Sequence, residues 1–426
     1  MHAYRWLAIA LAAGFSGFAA GAGNIDAEFG GNGRAITAFD LGGGDTDDAL
    51  AMDRMTNGKI VVAGAASVDA NHICIAVARL NADGTADTSF GSVGKFSLPS
   101  LCSGASLRIN AIKADTAGRI VFAGIYRADG HQGGDFVVGR IKADGSGLDD
   151  SFGSFPSIGI VTPNIGGGTS DAAANAIALQ SDGKIVVAGY GTTNFIGSLT
   201  GYVVVRLNAN GSNDSTFGSS GYQIYSWGTS INDPLNDVAT AVAIQGDGKI
   251  VVAGTSQQTA SGADFGVIRL NPNGSFDTGF GGHGTGATLI NFGGACQDDI
   301  ATAVVPRYNL FNPAGSGVVI AGTHCLSGSD WDFAVAVLDA DGLLDAGFNG
   351  TGRRTLGIDL GGFNRDVAKS VSLESIGDLV FFPTHILLGG FAYNSAAGAG
   401  YDFALARLSL DGTLDTSFGN NGRASF

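Results

Sequence analysis

The chain has 426 residues, of which 70 are Gly and only 8 are Pro, while 45% are hydrophobic. This composition excludes a disordered chain and favours many short strands joined by tight turns. The acidic balance, with 38 Asp and Glu against 23 Lys and Arg and a net charge of -15, argues against nucleic acid and anionic membrane surfaces as partners, since both are negatively charged.

The first 22 residues have the features of a secretory signal peptide. Arg5 supplies a positive start, an apolar stretch rich in Ala and Leu follows from Trp6, and residues 20–22 (Ala-Gly-Ala) have the small-x-small form of a signal-peptidase site. We therefore predict cleavage after Ala22, a mature chain of residues 23–426 without a membrane span, and a secreted, periplasmic or cell-surface location. A membrane anchor is the alternative, which the shortness of the stretch disfavours.

A turn motif, seen at residues 81–94 as NADGTADTSFGSVG, recurs along the mature chain. Its Phe returns every 61 to 70 residues, so that seven copies bound six repeat units. The motif Phe residues are Phe29, Phe90, Phe152, Phe217, Phe280, Phe348 and Phe418. The repeat units run roughly over residues 29–89, 90–151, 152–216, 217–279, 280–347 and 348–426.

Four short apolar runs recur in each unit and predict strands. Examples in order are GRAITAF (33–39), NAIALQ (175–180), KIVVAG (59–64) and DFGVIRL (264–270). The runs are rich in β-branched residues and close on Gly or Asp-Gly, which is typical of strands joined by hairpins. Helical periodicity is absent after the first 22 residues.

Four strands repeated six times predict an all-β fold, a six-bladed β-propeller formed as a single domain over residues 23–426. Blades cover each other on both faces, which explains why the runs are apolar throughout rather than alternating with charges. A parallel β-solenoid is the rival fold, but its coils are shorter and lack hairpin turns. The first run occurs at both ends of the mature chain, at 33–39 and 422–426, and the pattern leaves open which copy completes the last blade.

The unit ending L-N-x-D-G-x-x-D-x-x-F-G-x-x-G resembles the delta-60 repeat, a bacterial family of predicted β-propellers without an assigned activity. The resemblance spans residues 24–426 and implies export or surface display rather than a reaction. The chain departs from the pattern at the inserted pair Gly147-Leu148, at Asn210 and Asn273 in place of Asp, and at Val337 in place of a strand Arg.

We interpret the motif as the joint between blades. Its Asp-Gly forms a tight turn, the motif Phe fills the gap between neighbouring blades, and the later Asp caps the following loop. The capping residues are Asp87, Asp214, Asp277, Asp345 and Asp415.

Two alternatives concern the charged residues of this joint. Asn81, Asp83 and Asp87 are spaced like the first part of a calcium loop, although no Glu follows at the twelfth position. The recurring strand Arg either forms an ion pair with a motif Asp or lines a channel for an anionic ligand. The strand Arg residues are Arg79, Arg140, Arg206, Arg269 and Arg407.

Strand order places the long, variable connections on one face, which we call the loop-rich face. Binding groups concentrate on such loops, and aromatic rings there can stack on sugars or peptides. The candidate ligand-binding residues are Tyr190, Tyr202, Tyr225, Trp227, Trp331, Tyr393 and Tyr401. The other interpretation is that these are solvated loops without a ligand.

The four Cys residues also fall on this face. Export favours disulfides over metal ligation, since no Cys-x-x-Cys pair is present. We predict the pairs Cys74–Cys102 and Cys296–Cys325.

No HExxH, GxSxG or phosphate-loop motif is present. We therefore expect a non-catalytic binding or scaffold protein, monomeric and without a cofactor, that recognises an extracellular glycan or protein through the loop-rich face. The alternative is a secreted hydrolase or lyase with acidic loop residues near the central channel. The candidates for such a carboxylate pair are Asp45, Asp47, Asp48, Asp298 and Asp299.

Overall fold

A computed structural model of the chain describes residues 24–43, 46–131, 133–153, 159–163, 165, 171–193, 199–228, 236–294, 296, 298–307, 317–328, 330–360, 365–374, 383–394 and 400–426. The predicted signal peptide therefore lies outside the described residues. The predicted fold class is confirmed: the chain is a six-bladed β-propeller, and each blade is a four-stranded antiparallel sheet. The parallel solenoid is excluded because consecutive strands pair in antiparallel fashion.

The strands follow the chain order within every blade. Blade 1 comprises β1 (Asp47–Arg54), β2 (Ile60–Ser67), β3 (Ile73–Leu80) and β4 (Lys95–Ser97). Blade 2 comprises β5 (Ala105–Ala114), β6 (Ile120–Ala128), β7 (Asp135–Ile141) and β8 (Ile160–Val161). Blade 3 comprises β9 (Ala172–Leu179), β10 (Ile185–Thr193), β11 (Leu199–Leu207) and β12 (Tyr222–Tyr225).

The second half of the chain repeats this arrangement. Blade 4 comprises β13 (Asp237–Ile244), β14 (Ile250–Gln258), β15 (Gly262–Leu270) and β16 (Ala287–Ile290). Blade 5 comprises β17 (Asp299–Pro306), β18 (Val318–Ser327), β19 (Asp330–Leu338) and β20 (Arg353–Leu356). Blade 6 comprises β21 (Asp366–Glu374), β22 (His385–Asn394), β23 (Gly400–Ser409) and β24 (Arg423–Ser425). Two short 3₁₀ helices cover Phe29–Gly31 and Pro99–Cys102.

The chain divides into two compact units of three blades each. Unit 1 holds residues 26–198 and 202–224, and unit 2 holds residues 225–426 together with 199–201. Within each unit the hydrophobic core lies between neighbouring blades, for example between blades 1 and 2 around Phe90 and Phe122, and between blades 5 and 6 around Phe333 and Phe348. The predicted single-domain boundaries stay a prediction.

The C-terminal copy of the first run is the one that completes a blade. It forms β24, which pairs with β23 in blade 6. The N-terminal copy, residues 33–39, forms no strand, but Phe39 donates its backbone N–H to Asp47 Oδ2 at 2.7 Å. The turn motif accordingly lies between the third and fourth strands of a blade, so a repeat counted from Phe to Phe starts in one blade and ends in the next.

A bulge in the first strand explains the Gly that ends the KIVVAG run. The pairing of β1 with β2 shifts register between Ala49 and Ala51, opposite Gly64. A Cβ atom at Gly64 would clash with the backbone oxygen of Asp48, and one at Gly322 would clash with that of Ile300. Only Gly permits this close approach of two backbones.

Candidate functional site

The turn motif builds a charged joint in every blade. In blade 1 the Arg79 Nε donates to Asp87 Oδ2 at 2.5 Å, and Lys59 Nζ donates to the same oxygen at 2.7 Å. The guanidinium lies over the Phe90 ring, 4.5 Å from its centroid, and also donates to the backbone oxygen of Ala143 in the next repeat. The strand Arg therefore pairs with the Asp of its own motif and binds the backbone of the next one.

The same ion pair recurs wherever the strand Arg is present. Arg140, Arg206, Arg269 and Arg407 pair with Asp149, Asp214, Asp277 and Asp415 at 2.6 to 2.8 Å. Asp149 has the same role in blade 2, in addition to the predicted capping residues.

Blade 5 forms its joint with different residues. Val337 stands at the strand position, and Asp345 instead accepts a hydrogen bond from Arg307, which follows β17. Arg354 of β20 makes the contact to the next repeat, because its Nη1 donates to the backbone oxygen of Gly412. The joint therefore keeps its charge pairing although the residue that supplies the cation has changed.

The motif Phe residues are all buried, with exposed fractions of 0 to 7%. Within each unit they contact the following repeat: the Phe90 ring lies against Gly145, and Gly91 donates its N–H to Asp144 O at 2.8 Å. The Asp residues after the turn accept backbone N–H groups, as Asp415 Oδ1 does from Ser417 at 3.0 Å. These contacts correspond to the predicted roles of the motif as a joint and a cap.

The three residues of the proposed calcium loop have other partners. Both oxygens of Asp87 are taken, Oδ2 by Lys59 and Arg79 and Oδ1 by Ser89. Burial opposes ionisation of Asp87, but hydrogen bonds from Lys59, Ser89 and Arg79 outweigh it and hold the pKa of this carboxyl well below its ordinary value. Asn81 and Asp83 bond to Thr85. A calcium ion beside Asp87 would be repelled by the positive charges of Lys59 and Arg79, so this geometry disfavours calcium there.

The predicted aromatic ligand residues lie mostly on strands rather than in loops. Tyr202 is fully buried in β11, so its ring has no exposed face for a ligand, and this assignment is corrected. Tyr190, in β10, is half-buried and donates to Asp171 Oδ2 at 3.4 Å. Tyr225 packs edge-to-face on Trp227 at 4.7 Å between centroids.

Three further aromatic candidates lie in blades 5 and 6. Tyr401 is 38% exposed and packs on Tyr393 at 5.4 Å and on Phe391 at 5.0 Å between ring centroids. Trp331, at the start of β19, is half-buried, and the guanidinium of Arg365 lies 5.9 Å from its ring centroid.

The two disulfides are confirmed with the predicted pairing. Cys74 is bonded to Cys102 and Cys296 to Cys325, with Cα separations of 5.7 and 5.8 Å. The first joins β3 to the 3₁₀ helix that precedes blade 2, and the second joins the segment before β17 to β18.

Next to Trp331 lies a group of carboxylates that the sequence reasoning missed. One oxygen from each of Asp332, Asp359 and Asp366 lies within 4.8 Å of the others. These residues come from the start of β19, the segment after β20 and the start of β21. The only sequence clue was the segment DLGGFNRD (359–366), which resembles DLGGGDTDD (40–48).

Burial and neighbouring carboxylates raise the pKa of two of these acids. Burial, together with Asp330, Asp359 and Asp366, raises the pKa of Asp332 to about 6, and the charge of His324 only partly offsets this. Burial also raises the pKa of Asp366, with contributions from Asp359 and Asp330.

The carboxylates suggested for hydrolysis are not assembled into a described pair. Asp45 lies outside the described residues. Asp47 accepts the Phe39 N–H, while Asp299 accepts the Phe292 N–H and is hydrogen-bonded to the buried His324 at 2.6 Å from Nδ1. Asp298 accepts the Ala263 N–H at 3.3 Å. Asp47, Asp298 and Asp299 therefore each have a structural partner in their own neighbourhood.

Across the described ranges, no helix is both long enough and apolar enough to span a membrane.

Four segments of the chain match a family model described as "Domain of unknown function (DUF5122) beta-propeller": residues 56–90, 180–217, 245–280 and 385–418. Each segment ends at a motif Phe, in blades 1, 3, 4 and 6. The unmatched blades 2 and 5 are those with the Gly147-Leu148 insertion and with Val337. The matches support a β-propeller repeat family without a characterised activity, and the delta-60 name stays a prediction.

A comparison with curated proteins found no match. Solved structures similar to the chain include an alpha-L-arabinofuranosidase from Fusarium graminearum in complex with an iminosugar inhibitor (10% identity, TM-score 0.45, 84% of this chain and 93% of that chain). A Hadza microbial sialidase (12%, 0.44, 83% and 64%) and a glucose dehydrogenase (14%, 0.41, 84% and 96%) are also similar. Such low identities and TM-scores carry no information about the activity of this chain.

Proposed function

We propose that this protein is an exported, non-catalytic binding or scaffold β-propeller that recognises an extracellular glycan through its loop-rich face. The observation that carries the proposal is the half-buried Trp331 ring with the Arg365 guanidinium 5.9 Å from its centroid, beside the connection between blades 5 and 6 that holds the exposed Asp359.

This grouping has the chemistry of a sugar site. A tryptophan ring offers a flat apolar surface to the C–H face of a pyranose, and neighbouring charged groups hydrogen-bond to its hydroxyls. Arg365 and Asp359 are exposed, so their donor and acceptor groups are available to solvent. Arg365 lies directly before β21, which is a rigid support for it.

Export is supported by the predicted signal peptide and by the two disulfides, which persist in oxidising compartments. N-terminal sequencing of the protein recovered from outside the cytoplasm should begin at Gly23. Recovery of the uncleaved chain in the membrane fraction would instead support an anchor.

A glycan array probed with the mature protein tests the proposal. We expect a restricted set of glycans to bind, and Trp331→Ala to weaken binding at least about fivefold, because stacking on an aromatic ring contributes about 1–3 kcal/mol. Trp227→Ala is the matched control, since it removes another half-buried indole and leaves the site intact. Binding that survives Trp331→Ala, or that is found only for proteins, would refute the proposal.

One observation favours the hydrolase alternative. The pKa of Asp332, raised to about 6 by burial and by neighbouring carboxylates, would suit a general acid. A screen of chromogenic glycosides decides between the binding role and the hydrolase. Turnover that Asp332→Asn abolishes would make the protein an enzyme. Absence of turnover on glycans that bind would support the non-catalytic role.

A further inference from the structure

We propose that Asp332, Asp359 and Asp366 form a calcium site on the loop-rich face of blades 5 and 6. This inference does not depend on glycan binding, because the cation alone is its ligand. Four observations support it, each from residues of unit 2.

The first is a buried oxygen without a partner. Asp366 is 1% exposed, and its Oδ2 accepts the N–H groups of Ile358 and Asp359. Its Oδ1 is buried and has no hydrogen-bond partner among the described residues. A buried carboxylate oxygen without a donor is costly, so this atom indicates a missing positive ligand.

The second is a comparison with the same position in blades 4 and 5. Asp237 and Asp299 also begin the first strand, and the residue opposite each on the second strand donates to Oδ1: Ser256 Oγ at 2.6 Å and His324 Nδ1 at 2.6 Å. In blade 6 the residue opposite Asp366 is Ala392, which has no donor. Blade 6 thus keeps the buried acid but lacks the side-chain donor that bonds to it in blades 4 and 5.

The third observation is that Asp332 lacks a hydrogen-bond donor that the corresponding residue of blade 4 has. Asp264 of blade 4 corresponds to Asp332 of blade 5, since each precedes the Phe that pairs with the last residue of the fourth strand. Asn291 Nδ2 donates to Asp264 at 2.6 Å and Ser261 Oγ at 2.7 Å. Gly357 stands at the position of Asn291 and offers no side chain.

The fourth is an added carboxylate at a position that favours Gly. Asp359 has a φ of 52°, and Gly293 occupies the corresponding place after blade 4 with a φ of 80°. A non-Gly residue in this left-handed region costs free energy. Asp359 nevertheless occupies this position, and its carboxylate lies beside those of Asp332 and Asp366.

The donor set selects the ion. Carboxylate oxygens alone prefer hard cations such as calcium and magnesium over transition metals. Oxygens on opposite sides of a calcium ion lie up to about 5 Å apart, whereas magnesium requires about 4 Å. The three carboxylate oxygens lie within 4.8 Å of one another, which a calcium ion can span without rearrangement.

Calorimetric titration of the metal-free mature chain with calcium chloride tests the proposal, together with thermal melts in 5 mM calcium chloride or in EDTA. We expect one saturable binding event per chain and a melting temperature about 5 to 9 °C higher in calcium, as expected for a dissociation constant near 10⁻⁴ M. No heat and no shift, or a response to magnesium only, would overturn the assignment.

Two variants locate the site. Asp359→Gly restores the residue found after blade 4, so it should fold normally, melt in EDTA at or above the wild-type temperature, and lose the response to calcium. Asp341→Asn removes one charge from an exposed turn of the same unit and should keep the full response. A calcium response that persists in Asp359→Gly would place the ion elsewhere and refute the proposal.

Discussion

The Asp that follows the motif turn forms a buried ion pair in blade 4 and a more exposed one in blade 5. The two blades therefore allow the effect of burial on this ion pair to be compared. Asp277 pairs with Arg269, whose side chain is only 5% exposed, and with Lys249. Asp345 pairs with Arg307, whose side chain is 33% exposed. Substitution of either Asp by Asn removes the charge, keeps the shape and retains a side-chain oxygen for capping.

The two substitutions should differ in cost. Asp277→Asn leaves a buried guanidinium without its counter-charge, which costs about 3 kcal/mol or more. Asp345→Asn leaves a cation that water can solvate, which costs about 1 kcal/mol or less. For a unit of about 200 residues, each kcal/mol lowers the melting temperature by about 2–4 °C, so we expect losses of about 6–12 °C and at most 4 °C.

Thermal melts of both variants at neutral pH, followed by circular dichroism, measure this difference. Added salt should reduce the small effect of Asp345→Asn and leave the large one nearly unchanged, because a buried pair is poorly screened. Equal losses for the two variants would show that burial of the Arg does not set the strength of the joint.

Three other outcomes are expected. Ala392→Ser should supply Asp366 Oδ1 with the donor that Ser256 gives Asp237 in blade 4, and should raise stability in EDTA by about 1–2 kcal/mol; an unchanged melt would mean that water already bonds this oxygen. The pKa of Asp332 is about 6 in the folded chain against an ordinary 3.8, so the folded state holds this proton more tightly. Its contribution, up to about 3 kcal/mol in EDTA, is present below pH 3.8 and lost as the pH rises through 6; Asp332→Asn should flatten this slope, and a slope that persists would assign it to other groups. Replacement of Cys74 and Cys102 by Ser should cost about 3–4 kcal/mol for a 28-residue separation, measured as the loss of stability relative to the oxidised protein, and no loss would mean that the bond adds nothing to the folded state.

The fold was predictable because its determinants are local. The Asp-Gly turn, the Phe-Gly joint and the four apolar runs lie within one repeat, and the repeat appears six times. The disulfides followed from the same reasoning, since strand order places Cys296 and Cys325 in two loops of one unit.

The acidic cluster was not predictable because its members come from three different structural elements and share no motif. Asp332, Asp359 and Asp366 meet only through the register of β19, the end of β20 and the start of β21. Equally, the replacement of the strand Arg at Val337 was visible in the sequence, but its compensation by Arg307 required the packing of β17 beside the motif. Tyr202 was expected at the end of a connection on the loop-rich face, yet β11 begins before it and its side chain is buried.

Because every sheet is assembled from strands that are consecutive in the chain, most native pairings are short-range. The pairing within a blade can therefore form from its own four strands, whereas burial of its faces requires the neighbouring blade, because the hydrophobic core lies between blades. The cysteines of each pair are only 28 or 29 residues apart, so each bond can close early and hold its neighbourhood while the remaining blades are added in succession.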